Sequence, residues 1–283
     1  MDGDSMYNVS FPGFGWEFTI NPVAFQIGDY KIYWYGIIIA VGMVLAMLYA
    51  FKTADRFEIN KDKLFNCVIV GLVFGVIGAR LYYVFFEWDR YAGDLLKIIQ
   101  IHDGGLAIYG GIIGALASGC LVAKLQKQKI MNILDLVALG FLIGQGIGRW
   151  GNFMNQEAFG TPTDLPWRMV SENTGGVGVH PCFLYESIWC LLGFVILHFV
   201  SKKFYKYHGQ IFFMYMVWYG FERMIVEGLR TDSLYMHFSI FGYTPRVSQV
   251  LSFAIMVLGI ILLIVFGLRN KNKLKGAHLK CQE

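Results

Sequence analysis

Charged residues are scarce in this sequence. They make up only 16% of its 283 residues, whereas hydrophobic residues make up 56%. A soluble globular protein carries about a quarter charged residues. The composition therefore excludes an ordinary soluble domain and indicates a membrane protein, for which we expect the lipid bilayer as a partner and no nucleic acid.

Several chemical signatures are also missing. The six histidines form no short-spaced pair with one another or with cysteine, so no metal centre is predicted. Neither a GxSxG elbow nor a glycine-rich nucleotide loop is present, and we expect no cofactor. The five cysteines lack paired spacing, which excludes a disulfide framework. Residues 1–30 do not resemble a cleavable signal peptide; their aromatic residues suit a segment at the membrane interface.

The chain does contain long apolar runs. A helix of about 20 residues crosses the hydrocarbon of a bilayer. Seven runs approach this length, although polar groups interrupt the fourth and sixth. The runs predict an all-α, polytopic membrane protein with a single integral domain over residues 1–283. The predicted spans are 33–51, 64–86, 106–124, 132–148, 182–200, 209–227 and 248–268.

Basic residues predict the orientation of these spans. Loops 52–63, 124–131 and 201–208 and the tail 269–283 hold 15 of the 24 Lys and Arg residues. The positive-inside rule therefore puts them in the cytoplasm and the N-terminus outside. The loop 149–181 then lies outside, and its length predicts a lid or small extracytoplasmic head.

The type of basic residue differs between the two sides. Thirteen of the 15 cytoplasmic residues are lysines, whereas seven of the other nine are arginines. Either residue satisfies the topology rule, but arginine has a rigid fork of five donors that matches phosphate or carboxylate. The skew therefore favours a phosphate site within the bundle and at its outer face.

The strongest single signal is the stretch from Gly140 to Gly160, a glycine-rich apolar helix that ends in polar residues. Arg149, Asn152, Asn155 and Glu157 gather at that end. An arginine at a membrane interface is often only an anchor. That interpretation accounts for Arg149 and its neighbour Trp150, but it leaves two amides and an acid unexplained. We therefore favour an anion site.

Other polar residues lie at comparable positions in the chain. A buried arginine needs a partner, and Glu186 is one candidate for Arg80. Arg223 and Glu227 have the i,i+4 spacing of a helical ion pair, so structure and function are equally good explanations for them. His102, at the entry to the third span, is by itself a weak signal. The remaining polar candidates near the same outer face are Tyr35, Tyr109, Glu222, Arg230 and Asp232.

Glycines recur at helical spacing and predict close helix packing. The sets are Gly71/Gly75, Gly110/Gly114 with Ser118, and Gly140/Gly144/Gly148.

The residues Gly148–Glu157, GRWGNFMNQE, closely resemble the G-R-x-G-N-F-x-N-x-E signature of bacterial prolipoprotein diacylglyceryl transferases. The resemblance extends along the whole chain, which makes it highly specific. The matching elements, in order, are Trp34-Tyr35-Gly36, Gly78-Ala79-Arg80, Gly104-Gly105, Gly110-Gly111, His180-Pro181, Tyr185-Glu186, and Arg223, Glu227 and Arg230.

The resemblance implies a multi-pass enzyme of the bacterial cytoplasmic membrane with its active site toward the extracytoplasmic side. Such an enzyme moves the diacylglyceryl group of phosphatidylglycerol to the lipobox cysteine of a preprolipoprotein signal peptide. A thioether forms and glycerol phosphate leaves, which is the first step of lipoprotein maturation.

The resemblance also implies residue roles. Arg149 and Arg230 would hold the phosphate, and Asn152 and Glu157 would position the headgroup or the nucleophile. The catalytic candidates are Arg149, Arg230, Tyr109 and Glu157. The substrate-binding candidates are Arg149, Asn152, Asn155, Tyr35, Arg80 and Gly160. The supporting candidates are His102, His180, Tyr185, Glu186, Arg223 and Glu227.

One position departs from the family pattern. Many members carry a histidine, the favoured general base, where this chain has Tyr109. A phenol with a pKa near ~10 is a poor base at neutral pH. Either Tyr109 only hydrogen-bonds the headgroup, or His102 or Glu157 takes the proton, or no dedicated base is used. We favour Tyr109 as a positioning group.

Two other functions are compatible with buried arginine. A transporter for an anionic solute would use it too, but the spans show no internal repeat, which many transporters have. A different lipid headgroup transferase would bind phosphate without a peptide acceptor.

Overall fold

The apolar runs form long helices, because a backbone in hydrocarbon must satisfy its polar groups within the segment. The computed structural model describes residues 6–100, 104–233, 235–236 and 244–280. All seven predicted spans coincide with α-helices in this part of the chain. The helices are α1 (Trp34–Thr53), α2 (Lys61–Phe86), α3 (Ile108–Leu125), α4 (Ile130–Met154), α5 (Cys182–Lys203), α6 (Gln210–Leu229) and α7 (Val247–Lys280).

Six of these helices are long and apolar enough to cross a membrane, judged over the described residues. The seventh, α6, is not among the six; it carries Glu222, Arg223 and Glu227 in its second half. Large apolar side chains of α1, such as Val44 and Leu48, point away from the protein, as expected for a surface that faces lipid. The chain is thus a mostly helical, polytopic membrane protein.

Helix α4 is longer than the predicted span 132–148, since it continues to Met154. Arg149 therefore lies within its last two turns and not at its end. The backbone turns sharply just afterwards, where Gln156 and Ala158 have positive φ values of 50° and 59°. The polar residues of the motif are divided between the end of the helix and this turn.

The N-terminal residues form β-strands, which the all-α prediction did not include. Strands β1 (Tyr7–Phe11) and β2 (Trp16–Ile20) pair antiparallel, as do β3 (Val23–Ile27) and β4 (Tyr30–Tyr33). The other edge of β1 pairs with β5 (Val170–Ser171), so the sheet order is β2-β1-β5. Residues 149–181, predicted to fold into a head, supply that third strand.

A hydrophobic core joins this sheet to the helices below it. Phe153 of α4 stacks on Phe183 of α5, with their ring centroids 4.5 Å apart. Burying such apolar area stabilises the sheet by roughly 25 cal/mol per Å². The polar end of α4 is therefore fixed on a packed base. The other buried members of this core are Val9, Phe11, Ile20, Met169 and Val179.

The chain divides into two units: Met1–Ala50 with Val137–Glu283, and Phe51–Leu136. The single domain expected from the sequence stays a prediction. In the second unit, α2 and α3 pack through the predicted glycines; a Cβ on Gly75 would lie 3.4 Å from that of Ala115. In the first unit, Trp189 of α5 and Trp218 of α6 stack at 4.4 Å and each donates a hydrogen bond to the other's carbonyl oxygen.

Candidate active site

Glu186 on α5 is the centre of an arginine cluster formed by α4, α5 and α6. Its side chain is only 2% exposed. Its Oε2 atom pairs with Nη2 of Arg149 from α4 and lies 3.1 Å from Nη1 of Arg223 from α6. Its Oε1 atom lies 3.8 Å from Nη1 of Arg230, which follows α6. Three guanidinium groups thus converge on one buried carboxylate.

Two further carboxylates border the cluster. Arg223 Nη2 lies 2.6 Å from Oε2 of Glu227, one turn along α6, and this confirms the predicted i,i+4 pair. Arg230 binds both oxygens of Asp232 with its Nε and Nη2 atoms, at 2.8 and 2.6 Å. Such a two-point contact fixes the plane of the Arg230 guanidinium.

The two oxygens of Glu186 are not equally used. The 3.8 Å distance from Arg230 exceeds a hydrogen bond, and Oε1 has no hydrogen-bond partner within the described part of the chain. Because Oε1 of Glu186 is not hydrogen-bonded to a described residue, the cations around this carboxylate can also pair with a second anion. A phosphate is an anion of the right charge for this position.

The polar turn after α4 continues the cluster. Arg149 Nη1 lies 3.4 Å from Oδ1 of Asn152, whose amide donates to Glu157 Oε1 at 2.8 Å. The indole of Trp150 donates to Ser187 Oγ at 3.1 Å, so this side chain ties α4 to α5 and does not act only as an interface anchor. The motif residues Arg149, Asn152 and Glu157 therefore form one connected chain.

A groove of about 760 Å³ lies beside this polar turn. Drug-sized ligand sites enclose about 300–1,000 Å³. The groove brings together three of the predicted substrate-binding or catalytic residues, Tyr35, Asn155 and Glu157. Its other lining residues are Tyr7, Pro22, Lys31, Ile32, Tyr33, Gly36, Ile37 and Ala40.

Gly160 is explained by close packing. Its N–H donates to the carbonyl of His180 at 2.9 Å, and it forms a β-bridge with Arg230. A Cβ atom here would approach the Cβ of His180 at 2.7 Å and the sulfur of Cys182 at 2.9 Å. Only glycine avoids these contacts, so Gly160 positions the backbone of Arg230. Its predicted part in substrate binding stays a prediction.

His180 and Tyr185 support the start of α5. His180 Nδ1 lies 3.2 Å from the hydroxyl of Tyr185, and the indole of Trp167 donates to that hydroxyl at 2.7 Å. Burial lowers the pKa of His180, which keeps its imidazole neutral at pH 7.

Electrostatics keep Arg230 and Asp232 charged. Burial lowers the pKa of the Arg230 guanidinium, but the hydrogen bonds and charge of Asp232 outweigh burial and raise that pKa overall. In turn, hydrogen bonding to Arg230 lowers the pKa of Asp232, although partial burial opposes this. Arg230 is therefore a permanent cation, and Asp232 a permanent anion, at the edge of the cluster.

Arg246 belongs to the same region, although the sequence did not single it out. It donates hydrogen bonds to the carbonyl oxygens of Glu227 and Arg230, the second at 3.0 Å, and to Ser233 Oγ at 3.3 Å. A cation is favourable at the C-terminal end of a helix such as α6. In the sequence, only the enrichment of arginine over lysine outside the predicted cytoplasmic segments pointed to Arg246.

Arg80 has a different environment, within the unit Phe51–Leu136. The sequence offered Glu186 as one candidate partner, and that pairing is wrong because the Arg80 guanidinium is bonded to backbone carbonyls. All five of its N–H groups are used. The acceptors are the carbonyl oxygens of Lys97, Ile98, Gln100, Gly104 and Gly105, at 2.6–3.0 Å. Its predicted substrate-binding role stays a prediction, and it would require some of these bonds to break.

Tyr109 lies in the first turn of α3, in the same unit, and its side chain is 40% exposed. An accessible phenol is compatible with a positioning role. His102, which with Glu157 is one of the two alternative proton acceptors, lies outside the described residues.

The family signature agrees with comparisons to known proteins. A family model described as prolipoprotein diacylglyceryl transferase matches residues 22–265. The chain belongs to this family. Three similar relatives are each named phosphatidylglycerol--prolipoprotein diacylglyceryl transferase.

The aligned regions cover nearly the whole length of each relative. The protein of Finegoldia magna is 46% identical over 244 residues, which is 86% of this chain and 95% of the relative. That of Clostridium novyi is 40% identical over 263 residues, 90% of this chain and all of the relative. That of Bacillus anthracis is 42% identical over 255 residues, 87% of this chain and 92% of the relative.

Proposed function

We propose that this protein is a phosphatidylglycerol–prolipoprotein diacylglyceryl transferase. It transfers the diacylglyceryl group of phosphatidylglycerol to the lipobox cysteine of a preprolipoprotein, as the first step of lipoprotein maturation. Family membership and the names of the relatives support this activity. The structural observation that carries it is the convergence of Arg149, Arg223 and Arg230 on Glu186.

The chemistry requires stabilisation of phosphate. The cysteine sulfur forms a bond to the glyceryl carbon while the bond from that carbon to the phosphate oxygen breaks. Glycerol phosphate leaves, and the thiol proton passes to the departing phosphate or to a nearby base. Negative charge develops on the phosphate oxygens, and fixed guanidinium donors in a water-poor site stabilise that charge.

The residues divide this work between them. Arg149 and Arg230 hold the phosphate, since each has contacts that fix its guanidinium beside Glu186. Asn152 and Glu157 position the glycerol headgroup from the polar turn, and the groove beside Tyr35 and Asn155 takes the adjoining part of the lipid. Tyr109 acts as a hydrogen-bonding group and not as the base.

We also infer the topology from these features. Helix α6 is the seventh span, because its charged residues lie in the arginine cluster and need not face lipid. The lysine-rich loops and tail are cytoplasmic. The sheet of β1, β2 and β5 is then an extracytoplasmic head, and the active site faces that side of a bacterial cytoplasmic membrane.

Mass spectrometry of a lipobox peptide tests the activity. The purified protein is incubated with the peptide and phosphatidylglycerol, and the expected product is a diacylglyceryl adduct on sulfur. A matched peptide with serine in place of the cysteine should stay unmodified. Modification of both peptides, or of neither, would overturn the proposal. A flux assay in liposomes with the same preparation tests the transporter alternative.

A further inference from the structure

Glu222 is a buried carboxyl group that the proposed chemistry does not use. It lies on α6 beside Arg223 and is only 5% exposed. Its Oε1 atom is buried and makes no hydrogen bond to any residue that the structure describes. Burying an ionised carboxylate without such partners is expensive, and the group avoids that expense by taking up a proton.

The neighbours of Glu222 belong to the arginine cluster. Helix α7 packs against α6 at Gly220, but the described charged residues of α7, Arg269 and Lys271, lie about 25 Å further along that helix. The groups that act electrostatically on Glu222 or are acted on by it come from three helices and the turn after α6. They are Arg149 of α4, Glu186 and Cys190 of α5, Tyr215, Tyr219 and Arg223 of α6, and Arg230.

The other charges around the site are balanced. Among the described residues joined to Glu186 by ion pairs, directly or through one arginine, the cations are three guanidinium groups and the anions are three carboxylates. An ionised Glu222 would be a fourth carboxylate and would make this cluster negative before an anionic lipid enters. The balanced groups are Arg149, Arg223 and Arg230 with Glu186, Glu227 and Asp232.

We propose that Glu222 carries a proton when the cluster holds an anionic phospholipid headgroup, and that loss of this proton weakens headgroup binding. This inference rests on the proposed function, because it assumes that the arginines hold a lipid phosphate. Glu222 is thus a residue that regulates the affinity of the site and not a catalytic group.

Glu227 provides a matched control on the same helix. It is also buried, but its carboxylate lies 2.6 Å from Arg223 and so forms an ion pair. Glu222→Gln should therefore imitate the native protonated state, whereas Glu227→Gln should remove a native charge.

The experiment measures binding of phosphatidylglycerol to the purified full chain between about pH 5 and pH 9, by native mass spectrometry. Wild-type affinity should fall as the pH rises. E222Q should bind roughly 10–30-fold more tightly than wild type at the highest pH, the effect of one nearby charge in a partly desolvated site. The difference should shrink as the pH falls. E227Q should instead change the affinity by a similar factor at every pH, because it removes the carboxylate that pairs with Arg223, and the exposed-site control E17Q should follow the wild type.

Infrared spectroscopy gives a second readout that does not depend on lipid. The difference between wild type and E222Q near neutral pH should contain the carbonyl stretch of a protonated carboxyl group. E222Q with a wild-type pH profile, or with an affinity that differs from wild type by the same factor at every pH, as expected for E227Q, would overturn the inference. So would the absence of that stretch.

The two proposals fail separately. If the peptide gains no diacylglyceryl group while lipid binding still depends on Glu222 as described, the proposed function fails and the protonation of Glu222 stands. If the adduct forms but E222Q and wild type bind lipid alike, only the inference on Glu222 fails.

Discussion

Arg80 and the arginine cluster show two ways to accommodate a guanidinium in a membrane protein. The Arg80 side chain is 6% exposed and donates to five backbone carbonyls of a single loop. Arg149, Arg223 and Arg230 instead share the carboxylate of Glu186. The first arrangement leaves no N–H group unused, whereas the second places several cations around an acceptor that is only partly bonded.

The difference predicts that the arginines of the cluster bind an anion more readily than Arg80 does. Carbonyl oxygens of a backbone cannot be exchanged for a ligand without unfolding the loop that carries them. The carboxylate of Glu186 still has an oxygen that makes no hydrogen bond to the described residues, so the cations around it can also pair with a second anion. Burial alone does not distinguish the two kinds, because every one of these arginines is mostly buried.

Arg149→Ala tests the cluster with the largest expected effect. Losing one preorganised donor to developing charge lowers the rate by about 10²–10³, and the loss of a charge as well should abolish detectable transfer. The measurement is the rate of lipobox-peptide modification. Arg90→Ala is the matched control, because Arg90 is an exposed arginine paired with Glu87, and it should keep full activity.

Tyr109→Phe tests whether the hydroxyl of Tyr109 matters as much for activity as Arg149 does. It removes the phenolic hydroxyl but keeps the ring, and we expect substantial transferase activity to remain if Tyr109 only positions the headgroup, as proposed. Losses as large in Tyr109→Phe as in Arg149→Ala would show that the hydroxyl takes part in the chemistry and would overturn the assignment.

Glu186→Gln removes the charge that the three arginines share. Removing one partner of a buried ion pair destabilises a protein by about 3–5 kcal/mol, so the thermal midpoint should fall clearly. Phosphatidylglycerol should then raise that midpoint more than it does in wild type, because its phosphate replaces the missing carboxylate. Diacylglycerol, which lacks phosphate, is the control lipid. Equal stabilisation by both lipids would contradict a phosphate site at Glu186.

Arg80→Lys tests the other side of the comparison. Lysine cannot reach five carbonyl groups arranged around a planar fork, and each buried acceptor left unpaired costs about 1–3 kcal/mol. We expect a lower thermal midpoint with an unchanged KM for phosphatidylglycerol in the folded fraction. A raised KM at an unchanged midpoint would instead support the substrate-binding role predicted from the sequence.

The smallest effect concerns His180. Burial lowers its pKa in the folded protein, so the unfolded chain binds more protons at mildly acidic pH. The stability from its neutral imidazole is present above the unfolded pKa of about 6.5, and it is lost as the pH falls through the folded value. The thermal midpoint of wild type should decrease slightly more than that of His180→Asn over this interval. A parallel decrease in both proteins would contradict the assignment.

The sequence predicted much of the helical frame and of the motif. Seven helices lie where the apolar runs are, because bilayer thickness fixes the length of such runs. The β-strands of the N-terminal residues were missed. Apolar and polar residues do alternate in β1 and β2, but each strand has only five residues, and the pairing of β1 with β5 joins residues more than 150 positions apart.

Residue type by itself determined that this protein enters a membrane, and it predicted which loops are cytoplasmic and which arginines bind phosphate. Only the tertiary structure decided how those arginines are used. Glu186 lies 37 positions from both Arg149 and Arg223 in the sequence, and its pairing depends on how α4, α5 and α6 pack. Composition fixes the solvent that a segment prefers, whereas the partner of a buried charge is fixed by packing.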